Sequence, residues 1–176
     1  MLVQWNDDGV LVAVIDVLGH GPDAHKLAMQ LSETLSKWLT RASAPSPQGA
    51  LEMLDEAARG TRGAVAAVAW LNGRTLEGSV VGIGNVRCRF FGSVARTVEF
   101  REGVLGCRMR SQAPFSFVLR PSDVLLLFSD GVPGRFKSSE YPSLNLDPAP
   151  TIASNIVRRF GKGLDDASCA VMRCRW

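Results

Sequence analysis

The chain has 176 residues, 46% of them hydrophobic and 21% charged, with a net charge of +3. That length fits one domain, residues 1–176, with enough chain to bury a real core. Lys and Arg form no cluster, so there is no nucleic-acid footprint. No apolar run reaches the ~18 residues of a membrane span, and the first residues lack a leader's charged-then-apolar layout.

Residues 2–5 and 10–16 read as a hairpin turning at Asn6-Asp7-Asp8-Gly9. The second strand is apolar at almost every position, so both its faces should be covered. Pro22 suits the first turn of a helix. Ala24, Leu27, Ala28, Leu31, Leu35, Trp38 and Leu39 then recur at helical spacing over about five turns. A loop rich in Ser, Ala and Pro, Arg41 to Pro47, ends that helix. A second helix runs from about Gln48 to Arg59, with Leu51, Leu54 and Ala58 on its buried face. Strands follow at 64–71, 75–81, 84–91 and 94–100, with turn signals at Asn72-Gly73, Gly82 and Gly92-Ser93. After a loop at 101–114 come strands near 115–119 and 123–129. Residues 131–147 lack periodicity and read as an irregular flap. A helix over 149–160 turns Ile152, Ile156, Val157 and Phe160 inward. The last strand covers 167–173. Strands in runs, with segregated helices, argue an α+β fold.

Four cysteines (Cys88, Cys107, Cys169, Cys174) are scattered with no Cys-x-x-Cys pair. They read as free thiols in a reducing cytosol.

The chemistry gathers at strand ends. Asp16 closes the apolar run VLVAVI and opens DVLGHGPDA. VLLLF (124–128) runs into Ser129-Asp130-Gly131. Asp165-Asp166 opens the closing strand. If that strand runs antiparallel to the other two, all three sites meet at one edge. Carboxylates gathered there would raise one another's pKa, and a divalent cation removes that cost. Oxygen-only donors suit Mg²⁺ or Mn²⁺. Each residue also has a plain structural role. Asp-Gly is a common turn pair, Asp165-Asp166 suits a solvated turn, and Asp16 suits a cap on the loop entering the helix. The conjunction of all three at apolar strands favours the metal site. His20 fits a ligand, an acid or a loop donor. His25 falls on the helix as a surface residue, and Asp123 reads as a turn residue. Gly19-His20-Gly21-Pro22-Asp23-Ala24 also fits the dinucleotide fingerprint. That motif needs a second parallel strand ending in an acid, and residues 36–47 instead finish a helix and enter a Pro-rich loop.

At these residues the chain resembles the metal-dependent serine/threonine phosphatases of the PP2C type. It is most similar to their bacterial sporulation and stress-response branch, and within it to the small phosphatases that reset the stressosome. IDVLGHGPDA (15–24), VVGIGNVRCRFF (80–91), LRPSDVLLLFSDGV (119–132) and LDDASCAVMR (164–173) carry the likeness, in order. The resemblance implies a four-layer αββα sandwich with two Mn²⁺ or Mg²⁺ ions at one end. It implies that Asp16 bridges the ions and that the Val17 carbonyl binds one of them. Asp130 and Asp165 would hold the other, with Asp166 supporting or sharing that role. Water made acidic by the ions would attack phosphorus, and His20 would stand nearby as a candidate acid for the leaving oxygen.

One departure concerns an acidic residue that such phosphatases carry on a strand before the first motif. Here Asp7 and Asp8 fall in a turn at the far end of the strand, since eight strand residues span about 26 Å. The expectation is either one loosely held ion or an N-terminal piece lying outside the sequence. The basic phosphate-binding residue of such phosphatases is not identifiable. The expected protein is a cytoplasmic monomer acting on a phosphorylated stressosome or anti-sigma-antagonist protein, with no nucleic-acid or membrane partner. The rival expectation is a catalytically weak scaffold that binds such a phosphoprotein.

Overall fold

The computed structural model describes residues 1–42, 45–93, 95–107, 109, 112–161 and 166–174. The N-terminal hairpin forms β1 (Leu2–Trp5) and β2 (Gly9–Val17). Its turn is held by the Asn6 side chain, which accepts from the Asp8 and Gly9 amides at 2.9 and 3.0 Å. Helix α1 (Pro22–Arg41) starts on Pro22 and buries Ala24, Leu27, Leu31, Leu35 and Leu39 along one stripe. Helix α2 (Pro47–Ala57) is capped by Ser46, whose hydroxyl accepts from the Gly49 amide at 3.1 Å.

Strands β3 (Ala64–Asn72), β4 (Glu77–Ile83), β5 (Arg87–Phe91), β6 (Arg96–Val98), β7 (Phe115–Val118) and β8 (Val124–Phe128) follow. Helix α3 (Ala149–Phe160) and strand β9 (Cys169–Arg173) close the chain. The first sheet has the order β1-β2-β3-β4-β7 and the second β6-β5-β8-β9, and every strand pair within them is antiparallel. The expected α+β architecture of four layers is therefore present.

The period-2 alternation of β2 explains both its apolar run and the placement of Asp16. Leu11, Ala13, Ile15 and Val17 pack under α1 and α2. Val10, Val12 and Val14 point the other way, against Leu125 and Leu127 of β8 and Ala170 and Met172 of β9. By the same alternation Asp16 falls on the face toward the second sheet, where the strand ends. On the far side of that sheet, α3 packs Ile152 and Ile156 on Val124, Leu126 and Phe128.

Two expectations change in detail. Gly82 is no turn: β4 runs on to Ile83, and the chain turns at Gly84-Asn85 instead. A Cβ on Gly82 would lie 2.6–2.8 Å from the Phe100 ring, so this glycine makes room for an aromatic side chain within the strand. Gly84 takes the positive φ of 84° that the turn requires.

Residues 131–147 are not a loose flap. They contain a single 3-10 turn, Ser138–Glu140, and bury Val132, Phe136, Tyr141 and Leu144. Two arginines clamp them. Arg89 of β5 donates to the carbonyls of Gly134 and Phe136 at 3.3 and 2.7 Å and lies over the rings of Phe91 and Phe136. Arg173 of β9 donates to the carbonyls of Asn145 and Asp147. The apolar residues that anchor the segment are spaced irregularly, so no period marks them.

All four cysteines are free thiols. Burial pushes the Cys88 thiol up and that of Cys169 to about 12, which keeps both protonated and inert. No described helix is long and apolar enough to cross a membrane.

Candidate active site

The strand pairings bring several strand ends to one end of the sandwich. Val17 at the end of β2 lies opposite Ala64 at the start of β3. Phe128, the last residue of β8, lies opposite both Arg87, the first of β5, and Cys169, the first of β9. The turn after β2, the segment entering β9, the Ser129-Asp130-Gly131 turn and the Gly84-Asn85 turn all emerge there.

Asp16, Val17, Gly19 and His20 share one cleft of about 560 Å³ with Asp166, Ala167 and Ser168. Asp16 is half-buried, whereas His20 and Asp166 are exposed. His25, expected on the helix surface, is exposed and also lines the cleft. Met1 lines it as well, because β1 runs antiparallel to β2 and sets its start beside the end of β2. Asp7 and Asp8 stand at the opposite end of that hairpin, as expected. Asp165 lies outside the described residues.

Asp130 joins this assembly through the backbone. The Ser129 amide donates to the Ser168 carbonyl at 3.0 Å, and the Ser168 amide returns a 3.0 Å bond to the Ser129 hydroxyl oxygen. Ser129 is 1% exposed, so these bonds form in a dry, low-dielectric place where they hold the two segments in register. Gly131 sits directly over the Asp166 carbonyl: a Cβ there would lie 2.4 Å from that oxygen. The Asp130 turn and the Asp166–Ser168 segment are thus fused into one unit.

Asn85 was noticed in the sequence only as part of a Gly-Asn strand motif, and the structure gives it a partner. Its side-chain Nδ2 donates to Asp130 Oδ2 at 2.6 Å. The turn that carries it is tied down by the Gly84 amide, which donates to the Arg101 carbonyl at 2.9 Å. Such a partner fixes the carboxylate's rotamer and leaves its other oxygen to act. On the expectation that Asp130 holds a metal ion, Asn85→Ala should lower Mn²⁺ affinity about 10–100-fold, the usual cost of losing a hydrogen bond that orients a ligand. Calorimetric titration of Mn²⁺ into chelator-treated protein checks this.

Asp123, the other acid in the β8 region, stands at the opposite end of that strand. It is buried and accepts from the Ser93 amide, the Ser93 hydroxyl and the Arg120 amide at 2.7, 3.0 and 3.0 Å. These bonds join two turns, so Asp123 is the structural residue it was expected to be.

The donors fit a hard cation in kind. Asp16, the Val17 carbonyl, Asp130 and Asp166 offer oxygen only. Among the described residues no three His, Cys, Asp or Glu side chains form a closed group that could hold a metal ion. What this end of the fold offers is a cleft lined by the carboxylates of Asp16 and Asp166 and the imidazoles of His20 and His25.

Comparison with known proteins agrees with the architecture. The family described as Stage II sporulation protein E (SpoIIE) matches residues 6–174. No curated protein sequence matches the chain. Among solved structures, a protein from a study of the bacterial stressosome superposes with a TM-score of 0.81 at 23% identity, covering 97% of this chain and 87% of that one. RsbX in complex with magnesium gives 0.78 at 16% identity, covering 96% and 82%. The serine/threonine phosphatase PstP/Ppp of Mycobacterium tuberculosis gives 0.62 at 15% identity, covering 97% and 89%.

Proposed function

Since the chain belongs to the SpoIIE family and is homologous to PP2C-type serine/threonine phosphatases, we propose that it hydrolyses phosphoserine or phosphothreonine on a regulatory phosphoprotein. The observation that carries this is the shared cleft of Asp16, Val17, His20 and Asp166, with the Asp130 turn bonded to its wall through Ser129 and Ser168. Asp16, the Val17 carbonyl, Asp130, Asp165 and Asp166 are the groups that would hold Mn²⁺ or Mg²⁺. Bound there, such ions would supply an acidic water and positive charge for the phosphoryl oxygens.

The chain's own residues set the rest. The exposed Gly19-His20-Gly21 loop leaves the cleft open to a side chain presented by a folded partner. His20, which lines the cleft, is our candidate for protonating the leaving serine or threonine oxygen. The buried Ser129 bonds keep the Asp130 turn from drifting when substrate enters. The likeness to a stressosome-associated protein supports a substrate of the stressosome or anti-sigma-antagonist kind.

Hydrolysis of p-nitrophenyl phosphate tests the activity. Turnover should vanish with EDTA and return with Mn²⁺ better than with Ca²⁺, which prefers more ligands at longer distances. Full turnover by chelator-treated, metal-free protein would sink the proposal. The rival, a phosphoprotein-binding scaffold, draws on the placement of Asp7 and Asp8 at the far end of the hairpin, away from the cleft. It would show binding of the phosphoprotein with no release of phosphate.

The donors are also unequal. Strand β1 brings Met1 to the cleft and carries Asp7 and Asp8 away from it, so it adds no carboxylate there. Mn²⁺ titrated into residues 1–176 should therefore show two affinities: a tighter site at Asp130 with Asp165 or Asp166, and a weaker one beside the Val17 carbonyl. Two equally tight sites would mean a ligand not yet recognised.

A further inference from the structure

A phosphoryl dianion that enters this end of the fold meets Asp16, Asp130 and Asp166. Bound divalent ions would offset that repulsion, and a cation of the chain's own beside them would hold and orient the phosphate. Resting on the phosphatase proposal above, we propose that Arg62 is the substrate-binding cation, taking the phosphoryl oxygens of the incoming phosphoserine or phosphothreonine.

The backbone places it there. The β2–β3 ladder pairs Asp16 with Val65 and Val17 with Ala64. It extends one step further, with the Leu18 amide donating to the Gly63 carbonyl at 3.1 Å. Arg62 consequently stands beside Gly19, a residue that lines the cleft with Asp16, His20 and Asp166. One guanidinium nitrogen, Nη1, donates to the Leu18 carbonyl at 3.3 Å. That single long bond holds the head over the loop, and its other N–H groups have no partner among the described residues. Gly19 has a φ of +84°, and a Cβ on it would lie 2.9 Å from Arg62 Nη1. The glycine thus both shapes the loop and leaves the guanidinium its place.

Other arginines nearby are differently engaged. Arg59 pairs with Glu56 at 2.9 Å. Arg89 is committed to the carbonyls of Gly134 and Phe136. Arg87 shares a separate cleft with Glu99 and Glu102, carboxylates that would oppose a phosphate. Arginine is also the suitable cation in kind, because its planar fork matches two phosphoryl oxygens at once. Nothing in the sequence marked it: Arg62 falls between Gly60 and Gly63, in a stretch that reads only as the end of a helix.

The test uses inorganic phosphate as the probe, titrated by calorimetry into Mn²⁺-loaded protein, beside KM and kcat for p-nitrophenyl phosphate. Arg62→Ala should weaken orthophosphate binding and raise KM about tenfold or more, the scale of a lost hydrogen bond to a charged group. Arg62→Lys should recover only part of it, since a point charge lacks the fork. Mn²⁺ affinity should not change, and Arg59→Ala should match the wild type throughout. Arg62 is exposed, so melting temperatures should stay level; Arg62→Gln serves if the alanine variant does not fold. Unchanged phosphate binding in Arg62→Ala overturns the proposal, as does a wild type that binds no orthophosphate. A parallel loss of Mn²⁺ affinity also overturns it, because Arg62 would then only brace the Leu18 carbonyl. Arg62-dependent phosphate binding without hydrolysis would uphold Arg62 and remove the phosphatase proposal instead.

Discussion

Asp16→Asn is expected to abolish metal-dependent turnover, by at least about 10²–10³-fold, the scale of losing one principal electrostatic group at a reacting centre. The substitution keeps size and shape but removes the charge from the half-buried end of β2. The fold should survive, because asparagine fills the same space at a strand terminus, and circular dichroism should match the wild type. Asp130→Asn should do nearly as much harm. Its amide oxygen can still accept from Asn85, but without the charge that strengthens the bond and attracts a cation. Asp7→Asn and Asp8→Asn should change turnover less than about twofold, since that turn lies some 26 Å along the strand. An Asp7→Asn variant as damaged as Asp16→Asn would place the site at the wrong end of the sandwich.

Gly131→Ala is expected to be nearly as severe, for a different reason. The added methyl would lie 2.4 Å from the Asp166 carbonyl oxygen and 3.0 Å from the Ala167 Cα. Both are backbone atoms, so no side-chain rotation relieves the clash. The turn must separate from the 166–168 segment, breaking the reciprocal Ser129–Ser168 bonds and carrying Asp130 away from the cleft. Overpacking of this kind costs about 1–3 kcal/mol. The melting temperature should fall, and Mn²⁺ affinity and turnover should fall with it. A variant that stays as stable and as active as the wild type would show that the two segments are not coupled as described.

Much of the molecule was legible in the chain itself. The 20-residue α1 announces itself through Leu27, Leu31, Leu35 and Leu39 at helical spacing, behind a proline at its first turn. The unbroken apolar run of β2 implied cover on both faces, and the helices and the second sheet supply it. Asp16, Asp130 and the Asp165-Asp166 pair stood out because a carboxylate abutting a buried strand is costly unless something gathers there. These are local signals of period, punctuation and misplaced charge, and they survive without knowledge of the partner strand.

What the sequence could not supply was pairing across long separations. Asn85 and Asp130 are 45 residues apart, and no period links them. Residues 131–147 lack regular spacing because their anchors sit on turns, so their burial under Arg89 and Arg173 emerges only once β5, β8 and β9 lie side by side. Arg62 gained its place beside Gly19 from the register of β2 on β3. Register follows from which faces must be buried against which layers, a decision taken by the whole sandwich. The sequence by itself determined the elements and the carboxylates at their ends. Tertiary structure decided which of those ends share a cleft, because that depends on contacts between segments far apart in the chain.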